Sequence, residues 1–298
     1  MVLLHRLQCG PMELTLAPGV GGAVAGLTFD GAPLLRPWDG TESVRRMAAY
    51  PLVPYSNRIA EGKFKFGGRE FQLARNFGDH PHPLHGLGWQ RAWQLEDGDD
   101  FSARVRLLHT AEGEGAAAWP FPFEAVQSYR VAEDRVDVEM SLRNLGAVPA
   151  PAGLGWHPFF PGRDTALLQF EADTVWINDA RMVPAAAVAL PPSWDFRSAA
   201  PVGRAVGLDN CFDGFGGEAV ISWPSRPYRV RLGASDTLGR LVVMVVAPAV
   251  GDFFAVEPVS NANNALNQPD PVAHGMTILP PGGAMEVRMS ISVMAGIN

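Results

Sequence analysis

Hydrophobic and polar residues alternate in short runs along most of the chain, with the two-residue period of a half-buried β-strand. The segment 127–144 is the clearest case, and a turn near Glu133 and Asp134 divides it into two arms. The second arm presents four apolar residues to one side, namely Val136, Val138, Met140 and Leu142. This pattern predicts a β-hairpin with one side facing a core.

A second hairpin is predicted over residues 63–73, where alternating phenylalanines flank Gly67 and Gly68. Similar runs continue toward the C-terminal end, and no window offers three turns of amphipathic helix. The stretch 184–203 is the longest irregular segment and is predicted to be a surface loop. Because strands recur at similar spacing with no linker between them, we expect a single domain over residues 1–298 with an all-β sandwich or barrel fold.

Composition and charge narrow the classes of function. Hydrophobic residues make up 47% of the 298 residues and charged residues 18%, which is enough apolar material for a large core. The net charge of −7 opposes a nucleic-acid-binding surface. Cys9 and Cys211 form neither a metal-binding spacing nor a disulfide framework. No signal peptide and no membrane-spanning stretch is recognised, so we expect a cytoplasmic protein without membrane or nucleic-acid partners.

Three histidines, His80, His82 and His85, lie within one short segment and could form a metal site. Pro81 and Pro83 interrupt any regular strand there, and no cluster of carboxylates or cysteines completes a ligand set. We therefore predict no metal.

Other polar residues stand where strands and turns do not require them. Asn57 and Arg58 precede the first predicted hairpin, and His157 lies among aromatic residues. Asp209 lies among turn residues, and Glu257 ends an apolar strand. A surface charge, a core histidine or a turn residue is the structural alternative in each case. The apolar surroundings of Glu257 should raise its pKa, which would make it a better proton acceptor near neutral pH.

Taken in order, these residues and their neighbours resemble the aldose 1-epimerase, or galactose mutarotase, family. The resemblance covers most of the chain, in six motifs: NRI (57–59), GKFKFGG (62–68), LHG (84–86), GWHPFF (155–160), LDNCF (208–212) and VEPVSNANNALN (256–267). The LHG motif is followed by Leu87 and Gly88 rather than by a second glycine, and Trp156 stands where Asn is common. Such departures indicate a divergent bacterial branch of the family.

The resemblance implies a large antiparallel β supersandwich that holds a sugar in an open cleft on one face. It implies that Glu257 is the general base and His157 the general acid. His85 would hold the ring-oxygen side of the sugar. Arg58 and Asp209 would bind sugar hydroxyls.

Asn57, next to Arg58, and Trp156, next to His157, are further expected sugar contacts. Four amides follow Glu257 and suit hydroxyl recognition or turn formation equally well: Asn261, Asn263, Asn264 and Asn267. The implied reaction is mutarotation, in which the sugar ring opens and closes again with the anomeric hydroxyl on the other face. One base and one acid suffice for it, so we expect no metal, no nucleotide and no other cofactor.

Several alternatives remain at this point. The chain could be a non-catalytic carbohydrate-binding protein, a hexose-phosphate epimerase, or a lyase or glycosidase on a similar sandwich. An unphosphorylated aldose is the expected substrate, because the motifs contain a single basic residue at the predicted cleft, Arg58. Arg75, Arg91 and Arg163 lie near the motifs in sequence and could converge on the cleft instead. We expect a monomer or a homodimer.

Overall fold

The computed structural model describes residues 2–235, 237–247 and 251–296, and within these the chain is almost entirely β-structure. Its strands are β1 (His5–Cys9), β2 (Met12–Ala17), β3 (Ala23–Phe29), β4 (Ala32–Pro33), β5 (Ala49–Leu52), β6 (Lys63–Phe66), β7 (Arg69–Gln72), β8 (Gln94–Gly98), β9 (Ser102–His109), β10 (Phe123–Val131), β11 (Arg135–Asn144), β12 (Ala150–Ala152), β13 (Gly155–Pro161), β14 (Leu167–Phe170), β15 (Thr174–Asn178), β16 (Pro184–Ala189), β17 (Ala200–Pro201), β18 (Asp209–Asp213), β19 (Glu218–Ser222), β20 (Tyr228–Ala234), β21 (Leu241–Val245), β22 (Phe253–Val259), β23 (Thr277–Leu279) and β24 (Ala284–Ala295). A single short α-helix, α1 (Glu114–Ala118), is found among the described residues. Short 3₁₀ turns occupy Val44–Arg46, Ala60–Gly62, Gly88–Gln90, Pro192–Trp194, Val202–Ala205 and Ala265–Asn267.

Two large antiparallel sheets contain most of the strands. The larger sheet has eleven strands in the order β1-β2-β3-β5-β13-β22-β21-β18-β15-β16, with β4 attached to β3. The smaller sheet has nine strands in the order β17-β14-β19-β20-β24-β11-β10-β9-β8. Two small ribbons, β6-β7 and β12-β23, complete the fold. The expectation of an all-β antiparallel sandwich is thus confirmed.

The main core lies between the two sheets. It contains Leu14, Phe160 and Phe254 from the larger sheet together with Leu142 and Ile291 from the smaller one. The apolar arm predicted within 127–144 contributes to it, because β10 and β11 form the expected hairpin. The hairpin over 63–73 is also present, as β6 and β7.

A second apolar cluster lies on the outer face of the larger sheet, the face turned away from the smaller sheet. Successive residues of a strand point to opposite faces, so Phe159 joins this cluster while Phe160 enters the main core. Ala255 and Phe254 divide in the same way. The outer face of a sheet is buried only where loops cover it. Here Trp89, from the loop after β7, covers this face.

The prediction of an irregular loop over residues 184–203 is wrong in part. Residues 184–189 form β16, which pairs with β15 as the last strand of the larger sheet. This edge strand consists of alanines, one valine and a proline, and it is exposed on both faces beyond its first residue. Without a buried face it has no alternation of polar and apolar residues from which to predict a strand.

No helix within the described residues is long and apolar enough to cross a membrane. Cys9 and Cys211 are both free thiols, in agreement with the sequence.

Candidate active site

The floor of the site is formed by β13 and β22, which are neighbours near the middle of the larger sheet. Gly155 pairs with Val259 and Phe159 with Ala255, so the same register places His157 opposite Glu257. Both side chains point to the outer face, on the same side as Phe159. The pairing of two strands therefore brings together residues that are a hundred positions apart in the sequence.

The two side chains approach closely and are almost inaccessible to solvent. Nε2 of His157 lies 3.1 Å from Oε1 of Glu257, and the side chains are 7% and 1% exposed. The approach is not aligned as a hydrogen bond, and neither carboxylate oxygen of Glu257 has a hydrogen-bond partner among the described residues. A buried carboxylate without donors is costly in a folded protein, which makes this one a candidate for chemistry.

Burial acts on both pKa values in the direction of the uncharged forms. It raises the pKa of Glu257 well above its usual value, and the nearby negative charge of Asp209 adds to this effect. It lowers the pKa of His157 well below its usual value, with a smaller contribution from the neighbouring His85. The pair can hold a single proton either as two neutral groups or as an ion pair, and these differ only by transfer across the 3.1 Å gap.

His85 stands above this floor on the loop that follows β7. The backbone N–H of Asn57 donates to Nδ1 of His85 at 3.1 Å, and the N–H of His85 donates to the carbonyl of Asn57. Because a backbone N–H can only donate, Nδ1 is the acceptor, and neutral His85 must carry its hydrogen on Nε2. Burial, aided by the charge of Arg58, lowers the pKa of His85 to about 3, so the ring is neutral at physiological pH.

Backbone geometry explains the glycine that follows His85. Asn57 and His85 both have positive φ, at 58° and 59°, and Gly86 continues the turn at 67°. A Cβ at Gly86 would lie 2.2 Å from the carbonyl oxygen of Val53. Only glycine allows this close approach, which places the His85 ring above the sheet.

Arg58 and Asp209 form the opposite wall. Nη2 of Arg58 donates to Oδ2 of Asp209 at 2.6 Å, and Nη1 donates to the side-chain oxygen of Asn57 at 3.0 Å. Arg58 is 8% exposed in its side chain, whereas Asp209 remains 25% exposed. Asp209, at the start of β18, therefore keeps carboxylate surface open to a ligand while Arg58 fixes its orientation.

These residues enclose a cleft of about 370 Å³. That volume is at the lower end of small-ligand sites, which span roughly 300–1,000 Å³. Six residues predicted from the sequence line it: Asn57, Arg58, His85, His157, Asp209 and Glu257. The other lining residues are Arg36, Ser43, Arg45, Arg46, Tyr50, Phe77, His80, Leu84, Trp89, Phe159 and Val245.

Trp156 is the predicted sugar contact that the structure places elsewhere. It is 1% exposed and belongs to the core between the sheets, because it precedes His157 on β13 and so points to the opposite face. We therefore withdraw it from the expected contacts.

The amides after Glu257 also lie away from the cleft lining. The side chain of Asn261 accepts from the backbone N–H of Ser56 and donates to its carbonyl oxygen, and the side chain of Asn264 accepts from the N–H of Ala60. Asn267 donates to the carbonyl of Lys63. These three amides therefore hold the segment that carries Asn57 and Arg58, which is the structural alternative that the sequence left open.

Tyr50 and Arg36 are among the cleft residues that had no signal in the sequence. Tyr50 pairs with His157 across β5 and β13, and the two rings lie 4.6 Å apart. Burial raises the pKa of Tyr50, so its hydroxyl stays protonated. Arg36 lies over the ring of Phe159, with its guanidinium carbon 3.8 Å from the ring centroid. Both contacts depend on strand pairing that no local pattern reveals.

The three neighbouring histidines do not form a metal site. Nδ1 of His82 accepts from the N–H of Glu61, while its Nε2 lies 2.8 Å from the carbonyl oxygen of Arg181. His85 is held by Asn57, as described above. No group of three or more His, Cys, Asp or Glu side chains suited to a metal ion occurs among the described residues.

A family model for aldose 1-epimerase matches residues 13–292. The chain belongs to the aldose 1-epimerase family. A relative from Escherichia coli K12, the uncharacterized protein YphB, is 29% identical over 296 residues, which are 97% of this chain and 98% of that protein. A second uncharacterized protein of that strain, YihR, is 29% identical over 61% of this chain and 62% of its own length.

Solved structures of family members have the same fold. A crystal structure of an Escherichia coli K12 protein, provisionally assigned as an aldose 1-epimerase, matches with a TM-score of 0.91 at 28% identity, covering 99% of this chain and 100% of that one. A galactose mutarotase-like protein from Clostridium acetobutylicum matches with a TM-score of 0.85 over 98% of this chain and 95% of its own. At 19% identity, the second comparison speaks for the fold alone.

Proposed function

We propose that this protein is a mutarotase, which interconverts the α and β anomers of an aldose by acid–base ring opening and closure. The observation that supports it most is the buried pair of His157 and Glu257, 3.1 Å apart on the floor of the cleft. Membership of the aldose 1-epimerase family agrees with an isomerase of carbohydrates.

In the proposed reaction the proton that the pair holds first moves from Glu257 to His157 across the 3.1 Å gap, and the resulting ion pair acts on the sugar. The Glu257 carboxylate takes the proton of the anomeric hydroxyl while the His157 imidazolium gives its proton to the ring oxygen. The bond between the anomeric carbon and the ring oxygen breaks, and an open-chain aldehyde forms. Both side chains are now uncharged, which is the condition that their burial favours.

Ring closure reverses these steps after the aldehyde has rotated. The released hydroxyl attacks the other face of the carbonyl carbon and passes its proton to His157. Glu257 returns its proton to the carbonyl oxygen, which becomes the new anomeric hydroxyl. Each side chain ends in the state in which it began, so one turnover consumes no cofactor.

The surrounding residues position the sugar. His85 has its Nε2–H available as a hydrogen-bond donor, because Nδ1 is engaged by Asn57. Asp209 has exposed carboxylate oxygen for a pair of hydroxyls, and Arg58 orients it. Trp89, Phe159 and Tyr50 supply apolar surface for a sugar face.

A non-catalytic sugar-binding protein is less well supported. Such a protein has no use for a carboxylate whose two oxygens are buried without donors, since an amide in that position would bind hydroxyls at lower cost. A glycosidase mechanism is also less well supported. It needs two carboxyl groups at the bond that is cleaved, whereas Asp209, the other acidic residue in the cleft, is paired with Arg58.

The decisive experiment is anomer exchange measured by NMR or polarimetry. Wild-type protein should accelerate the relaxation of an α-aldose, and Glu257→Gln should lower the rate by roughly 10²–10⁴-fold, as should His157→Asn. Glu139→Gln is the matched control, because Glu139 lies on the smaller sheet, paired with Arg288. Binding of the sugar without any acceleration by the wild type would refute the proposed reaction and favour the binding protein.

A further inference from the structure

The cleft is basic in a protein that is acidic as a whole. The chain has 24 Lys and Arg against 31 Asp and Glu, for a net charge of −7. Among the residues that line the cleft, four are basic and two are acidic: Arg36, Arg45, Arg46 and Arg58 against Asp209 and Glu257. The expectation of an unphosphorylated sugar assumed a single arginine in the cleft, and this premise is wrong. The arginines that could have converged on the cleft, Arg75, Arg91 and Arg163, do not line it.

Two of the four arginines have their charges matched. Arg58 pairs with Asp209 inside the cleft. Arg46 is 59% exposed in its side chain and pairs at 2.7 Å with Asp39, outside the lining. Arg36 and Arg45 form no ion pair with any described carboxylate, so these two supply the unmatched positive charge.

Arg36 is the more deeply placed of the two. It is 5% exposed, its Nε donates to the carbonyl oxygen of Met47 at 3.0 Å, and its Nη2 donates to that of Arg45 at 2.7 Å. No described residue accepts a hydrogen bond from Nη1, which leaves this nitrogen for the cleft. Burial lowers the pKa of Arg36 only to about 10, so the guanidinium remains charged at neutral pH.

Arg45 completes the unmatched pair from the 3₁₀ turn Val44–Arg46, which the bonds from Arg36 hold in place. Its guanidinium carbon lies 4.5 Å from the centroid of the Phe77 ring, so an aromatic face orients it. The side chain is exposed, and its charge is free to meet a ligand.

The two arginines lie at one end of the cleft. Arg36 stacks on Phe159, whose ring is 4.4 Å from that of His157. Asp209 lies on β18, three strands from β13, or about 14 Å at the usual strand spacing. A sugar whose hydroxyls reach Asp209 across the acid–base pair would therefore extend its far side toward Arg36 and Arg45.

We propose that the substrate is an aldose that carries an anionic substituent away from the anomeric carbon, and that Arg36 and Arg45 bind this substituent. Carboxylate and phosphate groups share the required chemistry, which is a negative charge spread over two or more oxygen acceptors. This inference rests on the proposed mutarotase function for its catalytic meaning, whereas the binding preference stands without it.

The test compares glucose with two anionic sugars, glucuronate and glucose 6-phosphate. Anomer exchange is measured by NMR magnetisation transfer, and equilibrium binding by calorimetry, at low ionic strength because salt screens exposed charges. The proteins are the wild type, Arg45→Gln and the control Arg91→Gln. The control removes the same charge from an exposed arginine outside the lining.

At least one anionic sugar should exceed glucose about tenfold or more, both in kcat/KM and in affinity. One charge-assisted hydrogen bond that glucose cannot form accounts for a difference of this size. That ratio should fall by about tenfold in Arg45→Gln and stay unchanged in Arg91→Gln. The relative performance of the two anions tells which substituent the site accepts.

The inference would be overturned if glucose bound as tightly as both anionic sugars. It would also be overturned if the preference for the anionic sugar fell equally in Arg45→Gln and Arg91→Gln. Failure of the mutarotase proposal gives a different result: no sugar exchanges faster than in buffer, while an anionic sugar still binds better than glucose and does so less well in Arg45→Gln.

Discussion

The favourable charge of Arg58 only partly offsets the cost of burying the carboxylate of Glu257. Its carboxylate is 1% exposed, has no hydrogen-bond partner among the described residues, and faces an imidazole that burial keeps neutral. The folded protein gives up stability at this residue, and the proposed reaction is what that loss would serve.

The cost should be measurable as a dependence of stability on pH. The pKa of Glu257 lies well above its usual 4.5 in the folded protein, so between these values the folded state holds a proton that the unfolded state has released. The stabilising contribution is complete below pH 4.5 and is lost as pH rises through the folded-state pKa. Glu257→Gln removes this pH-dependent contribution. We therefore expect the unfolding midpoint of the variant to rise relative to that of the wild type between pH 5 and pH 8.

Thermal unfolding of both proteins at several pH values checks this expectation. Glu139→Gln is the control, since Glu139 is 44% exposed and its substitution should give a difference that varies little with pH. If Glu257→Gln behaves like Glu139→Gln, then the carboxylate is ionised in the folded protein and the pKa argument fails.

Gly86 offers a second test at the scale of one residue. Gly86→Ala combines a positive φ of 67° with a Cβ only 2.2 Å from the Val53 carbonyl oxygen, so the turn must move and take the His85 ring with it. Gly67→Ala has a similar φ of 56° but open space around the new carbon. We expect Gly67→Ala to cost about 1 kcal/mol and Gly86→Ala clearly more than that, with a matching loss of activity.

Chemical denaturation and anomer-exchange rates of the two variants separate backbone strain from the steric clash. Equal free energies of unfolding would mean that the loop tolerates the added carbon, and that His85 does not depend on the close approach at Gly86.

At the scale of the elements, β13 shows how one strand serves the core and the cleft at once. Phe160 is fully buried between the sheets and packs on Phe254, with ring centroids 5.8 Å apart. Phe159, the preceding residue, supports Arg36 and His157 on the outer face. The alternation of a strand assigns these roles, and a shift of register by one residue would exchange them.

Substitutions at these neighbours should therefore have different effects. Phe160→Ala should lower the free energy of unfolding by about 3–5 kcal/mol and leave kcat/KM near the wild-type value at temperatures where the protein is folded. Phe159→Ala should lower kcat/KM for the sugar at least tenfold, because Arg36 and His157 lose the ring that positions them. Urea titration and anomer exchange on the same samples would measure both, and an activity loss in folded Phe160→Ala would contradict the division.

The same alternation sets the limit of what the sequence predicts about elements. The hairpin of β10 and β11 was predictable because one of its faces is buried and the other is not. β16 was not predictable, because an edge strand exposed on both faces shows no period. Motifs supplied Glu257, His157, His85, Arg58 and Asp209 as candidate residues, but the side to which Trp156 points follows only from the strand that carries it.

Contacts that form when distant strands pair could not be predicted from the sequence, for a related reason. Tyr50 on β5 pairs with His157 on β13. Arg36 is held at the cleft by its hydrogen bond to the backbone of Met47 and by its contact with the ring of Phe159. None of these pairs is close in sequence, and none carries a local pattern. The basic character of the cleft depends on the fold in the same way, because the fold brings three arginines from the segment 36–46 into the lining that contains the acid–base pair.

On the scale of the whole molecule, the two sheets share a single core that draws on strands from both ends of the chain. Leu7 from β1 and Ile291 from β24 belong to the same buried cluster. β24 lies between β20 and β11 in the smaller sheet, so the C-terminal strand joins parts of the sheet that are distant in sequence. Neither sheet can expose its inner face without exposing that of the other.

We therefore expect the protein to unfold as one cooperative unit, as the single domain over residues 1–298 would. Chains of this size commonly populate intermediates, so coincidence of different probes is an informative result. Tryptophan fluorescence reports on both sheets and the loops, since Trp156 lies on β13, Trp119 follows α1 and Trp223 follows β19. Far-UV circular dichroism reports on the strands as a whole, and the two probes should give the same urea midpoint.

Phe160→Ala should shift both midpoints by the same amount, because the side chain of Phe160 packs in the core that the two sheets share. Two separate transitions, or a shift confined to one of them, would show that the sheets unfold independently and that the chain contains more than one folding unit.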